Sequence, residues 1–391
     1  MRFPDSLLDA LHRSGGLQAL DPALSHHIFG DHDVTTFREP AVIRLLAGHT
    51  HRPIPLILRF ALWLLSFPYQ LAVRLRNLLF DMHLRPTRTI RVPVISVGNI
   101  TVGGTGKTPF VGFLAKRLSA NGLRVAILSR GYRAQPADAG LNDETRLLAS
   151  HLPENVVQLT GADRLASARR AVDDHQCNIL ILDDGFQHRR LARDLDIVLI
   201  DALRPFGYRH LLPRGLLREP LSALQRAHLI IITRTDLVTP QRIEDIRTQL
   251  QRLAPNIPII HVDFSPVAIY NPSNATTHKI DWLIAKRVFA FCGIGNPTSF
   301  AETLSHTRID PVGWRLFKDH HHYAPADVAV INDHARRTNA DLLLTTEKDA
   351  VKLRTDWSWS LPLCVVRIEA VVSQGDQILS GLLATTLNPE S

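Results

Sequence analysis

Residues 92–118 read VPVISVGNITVGGTGKTPFVGFLAKRL, an apolar run, a glycine-rich turn and an amphipathic stretch in immediate succession. A strand, such a turn and a helix in this order aim free backbone N–H groups and the positive helix end at an anion. Gly103, Gly104 and Gly106, with Thr105 between them, let the backbone wrap close to phosphates where a Cβ would collide. Lys107 can then reach the β- and γ-phosphates of ATP, and Thr108 can place its hydroxyl on Mg²⁺. Pro109 costs nothing in the first helical turn, because that N–H has no intrahelical partner. One position departs from the strict pattern G-x-x-x-x-G-K-[ST]: Thr101 stands where the first glycine is expected. The stretch predicts a P-loop.

A P-loop needs an acidic partner for its metal at the end of a neighbouring buried strand. CNILILDDGFQH, residues 177–188, supplies one: four apolar residues lead to Asp183 and Asp184, and Gly185 turns the chain. One carboxylate can hold Mg²⁺ through water while the other orients a neighbouring group.

Short apolar runs alternate with helical stretches from residue 91 onward. Strands are expected at 92–97, 124–128, 179–182, 196–200, 229–233 and 259–262, with helices at 109–121, 144–151, 164–175 and 240–253. That alternation implies right-handed crossovers and a mostly parallel sheet covered on both faces. Residues 266–274, rich in Pro, Asn and Ser, read as a junction. After it come strands at 288–292, 342–345 and 363–367 and helices at 297–306 and 325–339. The expected class is α/β: a P-loop NTPase-like domain (89–262), a smaller C-terminal α/β domain (263–391), a membrane-associating helix (54–88) and an N-terminal extension (1–40).

The 391 residues suffice for two cores, and 45 % apolar with 21 % charged content is ordinary for a soluble globular protein. Cys177, Cys292 and Cys364 are odd in number and far apart, which excludes a disulfide framework or a zinc spacing. The net charge of +8 is unevenly placed. Residues 52–91 carry seven arginines against Asp81 alone, a local +6. Since this excess flanks the apolar stretch 54–80, it predicts contact with an anionic membrane surface and no affinity for nucleic acid. Arg59 and Pro68 interrupt the stretch, so an interfacial helix is expected instead of a spanning one. Trp63, Phe60, Phe67 and Tyr69 supply interfacial aromatics.

Bare P-loop chemistry fits kinases, GTPases and regulatory ATPases alike. Thr233-Arg234-Thr235-Asp236 loosely matches the guanine reader of GTPases, with Arg in the Lys position, and a strand-end turn explains it equally well.

A second set of motifs separates these classes. ISVGNITVGGTGKTP, SRGY (Ser129–Tyr132), LDDGFQHRRLARDLDIVLIDA (Leu182–Ala202), LLPRGLLREPLSAL (Leu211–Leu224), KDHHHY (Lys318–Tyr323) and TTEKDAVKL (Thr345–Leu353) together resemble the tetraacyldisaccharide 4′-kinases of lipid A biosynthesis. The resemblance implies transfer of the ATP γ-phosphate to the 4′-hydroxyl of a tetraacyl disaccharide 1-phosphate, giving lipid IVA. It implies work at the cytoplasmic face of the inner membrane through the 54–80 helix. It also implies a catalytic base at Asp143, where Asn142 replaces the family's glycine, paired with His320 of the second domain. A carboxylate hydrogen-bonded to an oriented imidazole can take the proton of a sugar hydroxyl as attack begins. Arg130 is a candidate for holding phosphate through its bidentate fork. Arg214, Arg218 and Glu219 are candidates for substrate contact, and Glu347, Lys348 and Asp349 match a family motif without a derivable role.

Overall fold

The computed structural model describes residues 45–46, 53–130, 147–148, 152–295, 297–319, 321–354 and 356–388. Among these, positions 45–264 with 370–388 form one compact unit and 265–369 form the other.

The first unit opens with helix α1 (Pro53–Asp81) and continues into strand β1 (Val94–Asn99), helix α2 (Lys107–Ala120) and strands β2 (Val125–Ser129) and β3 (Val156–Thr160). Helix α3 (Arg164–Asp173), strands β4 (Ile179–Asp183), β5 (Leu195–Asp201) and β6 (Leu229–Thr233), helix α4 (Pro240–Leu253) and strand β7 (Ile259–Asn271) follow. Strand order is β3-β2-β4-β1-β5-β6-β7, with every one of these pairings parallel. A parallel sheet is covered on both faces, and the central strands are accordingly apolar without alternation: every residue of β1 and of β6 is buried. Helix α2 buries Phe110, Val111, Leu114, Ala115 and Leu118 on one side of this sheet. Side-chain caps start the next two helices, Asp163 accepting from Leu165 N and Ala166 N, and Thr239 from Arg242 N.

The second unit holds strands β8 (Thr276–His278) and β9 (Val288–Cys292), helix α5 (Pro297–His306), strand β10 (Gly313–Leu316), helix α6 (Pro325–Arg337) and strand β11 (Leu342–Thr346). The short helix α7 (Glu347–Ala350) and strand β12 (Leu363–Gln374) complete it. Its parallel order is β10-β9-β11-β12. The chain passes between units within β7 and again within β12.

Several features depart from the sequence expectation. Residues 370–388 return to the first unit, where Leu379 and Leu383 of helix α8 (Asp376–Leu387) join the core around Ile95 and Leu114. The expected junction at 266–274 is largely strand, because Pro266 falls between the β6 ladder, which ends at Val262, and the β8 ladder, which starts at Ile269. A missing N–H there breaks neither ladder. Strand β3 is short and half-polar, so its sequence carries no apolar run to signal it.

Helix α1 runs unbroken through Pro68 and is long and apolar enough, by length and composition, to cross a membrane. Pro68, expected to disturb the helix, lies inside it without ending it. Most of its apolar side chains are exposed, Ile57 at 69 % and Leu71 at 68 %, while Val73 and Phe80 are buried.

Candidate active site

The phosphate cradle follows from what β1 runs into. Gly106 caps α2 with φ 85°, a left-handed geometry, and a Cβ there would sit 2.0 Å from the Phe264 ring. No side chain caps this helix and no acidic residue occupies its first turn, so its positive end is left for an anion. The loop's carbonyls are tied to β6: Thr233 Oγ1 donates to Thr105 O at 3.1 Å, and Arg234 Nη2 to Gly104 O at 2.9 Å. Arg234 is held in turn by Asp201 at 2.6 Å. Thr101 needs no glycine because its backbone is extended and bridges Leu217, flanked by Val102 N to Leu216 O and Arg218 N to Ile100 O, both 2.7 Å.

Pairing of β1 with β4 puts Val97 opposite Asp183. Asp184 follows with φ 54°. Its Oδ1 lies 3.4 Å from Lys107 Nζ, and Arg218 Nη1 donates to both carboxylate oxygens at 3.0 and 2.8 Å. Burial opposes ionisation of Asp184, but Lys107 and Arg218 outweigh it and hold the carboxyl below its usual range. Lys107 Nζ also donates to Asn99 Oδ1 at 3.1 Å. Asn99 Nδ2 and Thr105 Oγ1 are buried without a protein partner. Orphaned donors beside an ammonium are what a bound phosphate chain would satisfy. Thr108, Asp183 and Asp184 offer the hard oxygens that suit Mg²⁺, which takes only one or two carboxylates when phosphates supply the rest.

A family model described as Tetraacyldisaccharide-1-P 4'-kinase matches residues 58–387. The chain belongs to the tetraacyldisaccharide 4′-kinase family. The tetraacyldisaccharide 4′-kinase of Anaeromyxobacter dehalogenans (strain 2CP-C) is 39 % identical over 339 residues, covering 83 % of this chain and 89 % of that protein. The one from Syntrophus aciditrophicus (strain SB) is 40 % identical over 340 residues, covering 79 % and 89 %. The crystal structure of LpxK from Aquifex aeolicus in complex with ATP is similar with a TM-score of 0.67 at 29 % identity, over 84 % of this chain and 99 % of that one.

Within this tetraacyldisaccharide 4′-kinase fold the candidate residues separate into groups. Lys107, Asp184 and Arg218 come together at the foot of the loop, with Asn99, which the sequence reading passed over although it stands inside the quoted motif. Arg164 was also passed over. It is buried at the start of α3, where burial lowers its pKa, Asp183 opposes that fall and Arg130 adds to it. Arg130 and Asp183 therefore share one electrostatic neighbourhood. Arg214 donates to Leu46 O at 3.1 Å and feels the charge of Arg59.

Glu219 is corrected from a substrate contact to an internal tie. It is fully buried, and Arg76, Asn77 and Arg226 saturate its oxygens at 2.8–3.0 Å. The segment Thr233–Asp236 is a strand-end turn, with Asp263 accepting from Thr235 N, Thr235 Oγ1 and Asp236 N. Asp143 and His320 lie outside the described residues. In the second unit Asp349 is fully buried and accepts from Gly293 N and Thr346 Oγ1, while Lys348 pairs with Asp319 at 3.4 Å.

His188 closes the DDGFQH motif and stays neutral. Burial first, then Arg164, Arg193 and Arg190, push its pKa down to about 4. The unfolded chain, titrating at about 6.5, binds a proton that the folded one refuses between those values. The stability involved is complete above pH 6.5 and is lost as the pH falls through 4. His188→Gln should therefore flatten the loss of thermal stability between pH 7 and pH 5, and unfolding midpoints falling equally in both proteins would refute this.

Proposed function

We infer that this chain transfers the γ-phosphoryl group of ATP to the 4′-hydroxyl of a tetraacyl disaccharide 1-phosphate, forming lipid IVA for lipid A. The observation that carries the reading is Lys107, 3.4 Å from Asp184 under a helix end with no side-chain cap, in a unit that also presents the apolar helix α1. Phosphoryl transfer asks the protein for positioning and charge stabilisation more than for covalent chemistry. The amides of 103–108 and Lys107 hold the phosphate chain, and Asn99 aims the ammonium. Mg²⁺, when bound, neutralises charge on the transferring group, and Thr108, Asp183 and Asp184 are the residues that would hold it. Arg164 and Arg130 add positive charge beside Asp183. Asp143 takes the proton of the attacking 4′-hydroxyl, oriented by His320.

The acceptor is acylated and anionic, and the exposed face of α1 is suited to it. Ile57, Phe60, Leu64 and Leu71 enter the acyl region, and Arg74, Arg85, Arg88 and Arg91 meet lipid phosphates at the cytoplasmic face of the inner membrane.

An ATP-dependent phosphorylation assay on the tetraacyl disaccharide 1-phosphate in detergent micelles tests the reading. Product is expected with the parent protein. Asp143→Ala and His320→Ala should each lower kcat by roughly 10²- to 10⁴-fold while ATP binding is kept. Full activity of Asp143→Ala would remove the base assignment, and a GTP preference with hydrolysis indifferent to lipid would remove the kinase reading.

A further inference from the structure

A run of buried and half-buried polar contacts joins the anchor helix to the phosphate site, and nothing in phosphoryl transfer itself requires it. Helix α1 turns one face inward: Ser66, Val73, Asn77 and Phe80 are buried at the spacing of a single helix face, while Leu71, Leu75 and Leu78 are more than half exposed. From the inward face Tyr69 Oη donates to Arg218 O at 3.0 Å. Two turns further on, Arg76 donates to Glu219 Oε1 at 2.8 Å and Asn77 Nδ2 to Oε2 at 3.0 Å. Asn77 Oδ1 accepts from Arg76 Nε at 3.2 Å, so the two donors orient one another.

Glu219 passes this placement on in two directions. Its Oε2 also accepts from Arg226 at 2.9 Å, and the Arg226 guanidinium lies 4.6 Å above the Phe186 ring. Its chain neighbour Arg218 grips both oxygens of Asp184. The turn Asp184-Gly185-Phe186 thus meets an arginine at each end, one bonded to Glu219 and the other its chain neighbour. That turn depends on being held. Asp184 has a left-handed φ of 54°, and a Cβ on Gly185 would lie 2.7 Å from both Ser96 Oγ and Leu182 Cβ. A buried carboxylate deprived of one donor is left with uncompensated charge, and the strain falls on the segment that also carries Arg218 to Asp184.

We propose that Tyr69, Arg76 and Asn77 are positioning residues for phosphoryl transfer: the helix that anchors the enzyme also sets, through Glu219 and Arg218, the carboxylate of Asp184 beside Lys107. This rests on the reading of Asp184 as part of the Mg²⁺–phosphate site. Its consequence is that α1 governs turnover and metal use, beyond concentrating the enzyme at lipid.

The test measures kcat, the lipid KM and the Mg²⁺ concentration for half-maximal rate in micelles for Arg76→Met, Arg76→Lys, Asn77→Ala and Tyr69→Phe. Co-sedimentation with phosphatidylglycerol vesicles and thermal unfolding accompany it. Misplacing a catalytic group by about 1 Å can cost on the order of 10²-fold, so Arg76→Met and Asn77→Ala are expected to lose roughly 10- to 100-fold in kcat. They should also need more Mg²⁺ and bind vesicles like the parent, with Arg76→Lys recovering part of the rate. Folded variants with parental kcat and Mg²⁺ requirement overturn the proposal, as does a deficit that high lipid concentration abolishes. Should those two variants fail to fold, Tyr69→Phe, which loses one hydroxyl, decides: a few-fold lower kcat supports the coupling and a parental one overturns it. Asp184→Asn separates the two levels. If it is inactive while the helix variants behave as the parent, the coupling alone fails; if it is fully active, the site reading fails and the coupling with it.

Discussion

Lys107→Met is expected to lose roughly 10²- to 10³-fold in kcat, the range for removing one preorganised donor from a developing transition-state charge. Its ammonium stands between Asn99 Oδ1 at 3.1 Å and Asp184 Oδ1 at 3.4 Å and is largely buried. A nucleotide entering the cradle meets this ammonium already aimed, so no reorganisation is required when charge develops. Methionine keeps the length and the packing but not the charge. ATP affinity should fall as well, since the same ammonium touches the ground-state phosphates. Single-turnover kinetics at saturating ATP separates the two effects. A variant that turns over like the parent once saturated would show that Lys107 only binds.

Glu219→Ala should destabilise the first unit by about 3 kcal/mol. Breaking a buried pair costs about 3–5 kcal/mol, and the lower end applies because Arg76 and Arg226 keep partial access to water, at 29 % and 20 % side-chain exposure. For a unit of this size the unfolding midpoint would drop by roughly 6–12 °C. Glu219→Gln, which keeps the shape and one acceptor, should lose less. A thermal scan of both variants checks this, and an unchanged midpoint for Glu219→Ala would return Glu219 to the role of substrate contact.

Much of the first unit was legible in the chain. Strands buried on both faces must be apolar throughout, so β1, β4, β5 and β6 announce themselves within about two residues of their ends. The elements that escaped lack that signal. Strand β3 is half-polar, β10 is four residues long, and α8 gives no hint that its partners lie some 260 residues earlier in the chain. Only the second half of strand β7, beyond the expected 259–262, hid behind Pro266, a residue that marks loops unless the ladder happens to leave room for it.

For the site the division is similar. Glycine, lysine and threonine of the loop are recognisable because their spacing along one chain is itself the cradle. Asp183 and Asp184 follow because a carboxylate pair ending a buried strand needs a reason to be there. The sequence thus determined that a nucleotide is bound, in a parallel α/β unit carrying an arginine-flanked apolar helix. Tertiary structure alone decided which charges meet. Arg218 grips Asp184, a pairing that neither segment announces, and Glu219 could have been open and instead is sealed between Arg76, Asn77 and Arg226. The physical reason is range. A local motif carries its own geometry, whereas the partner of a charge is set by which segments pack together, and residues 76 and 219 become neighbours only once helix α1 has docked.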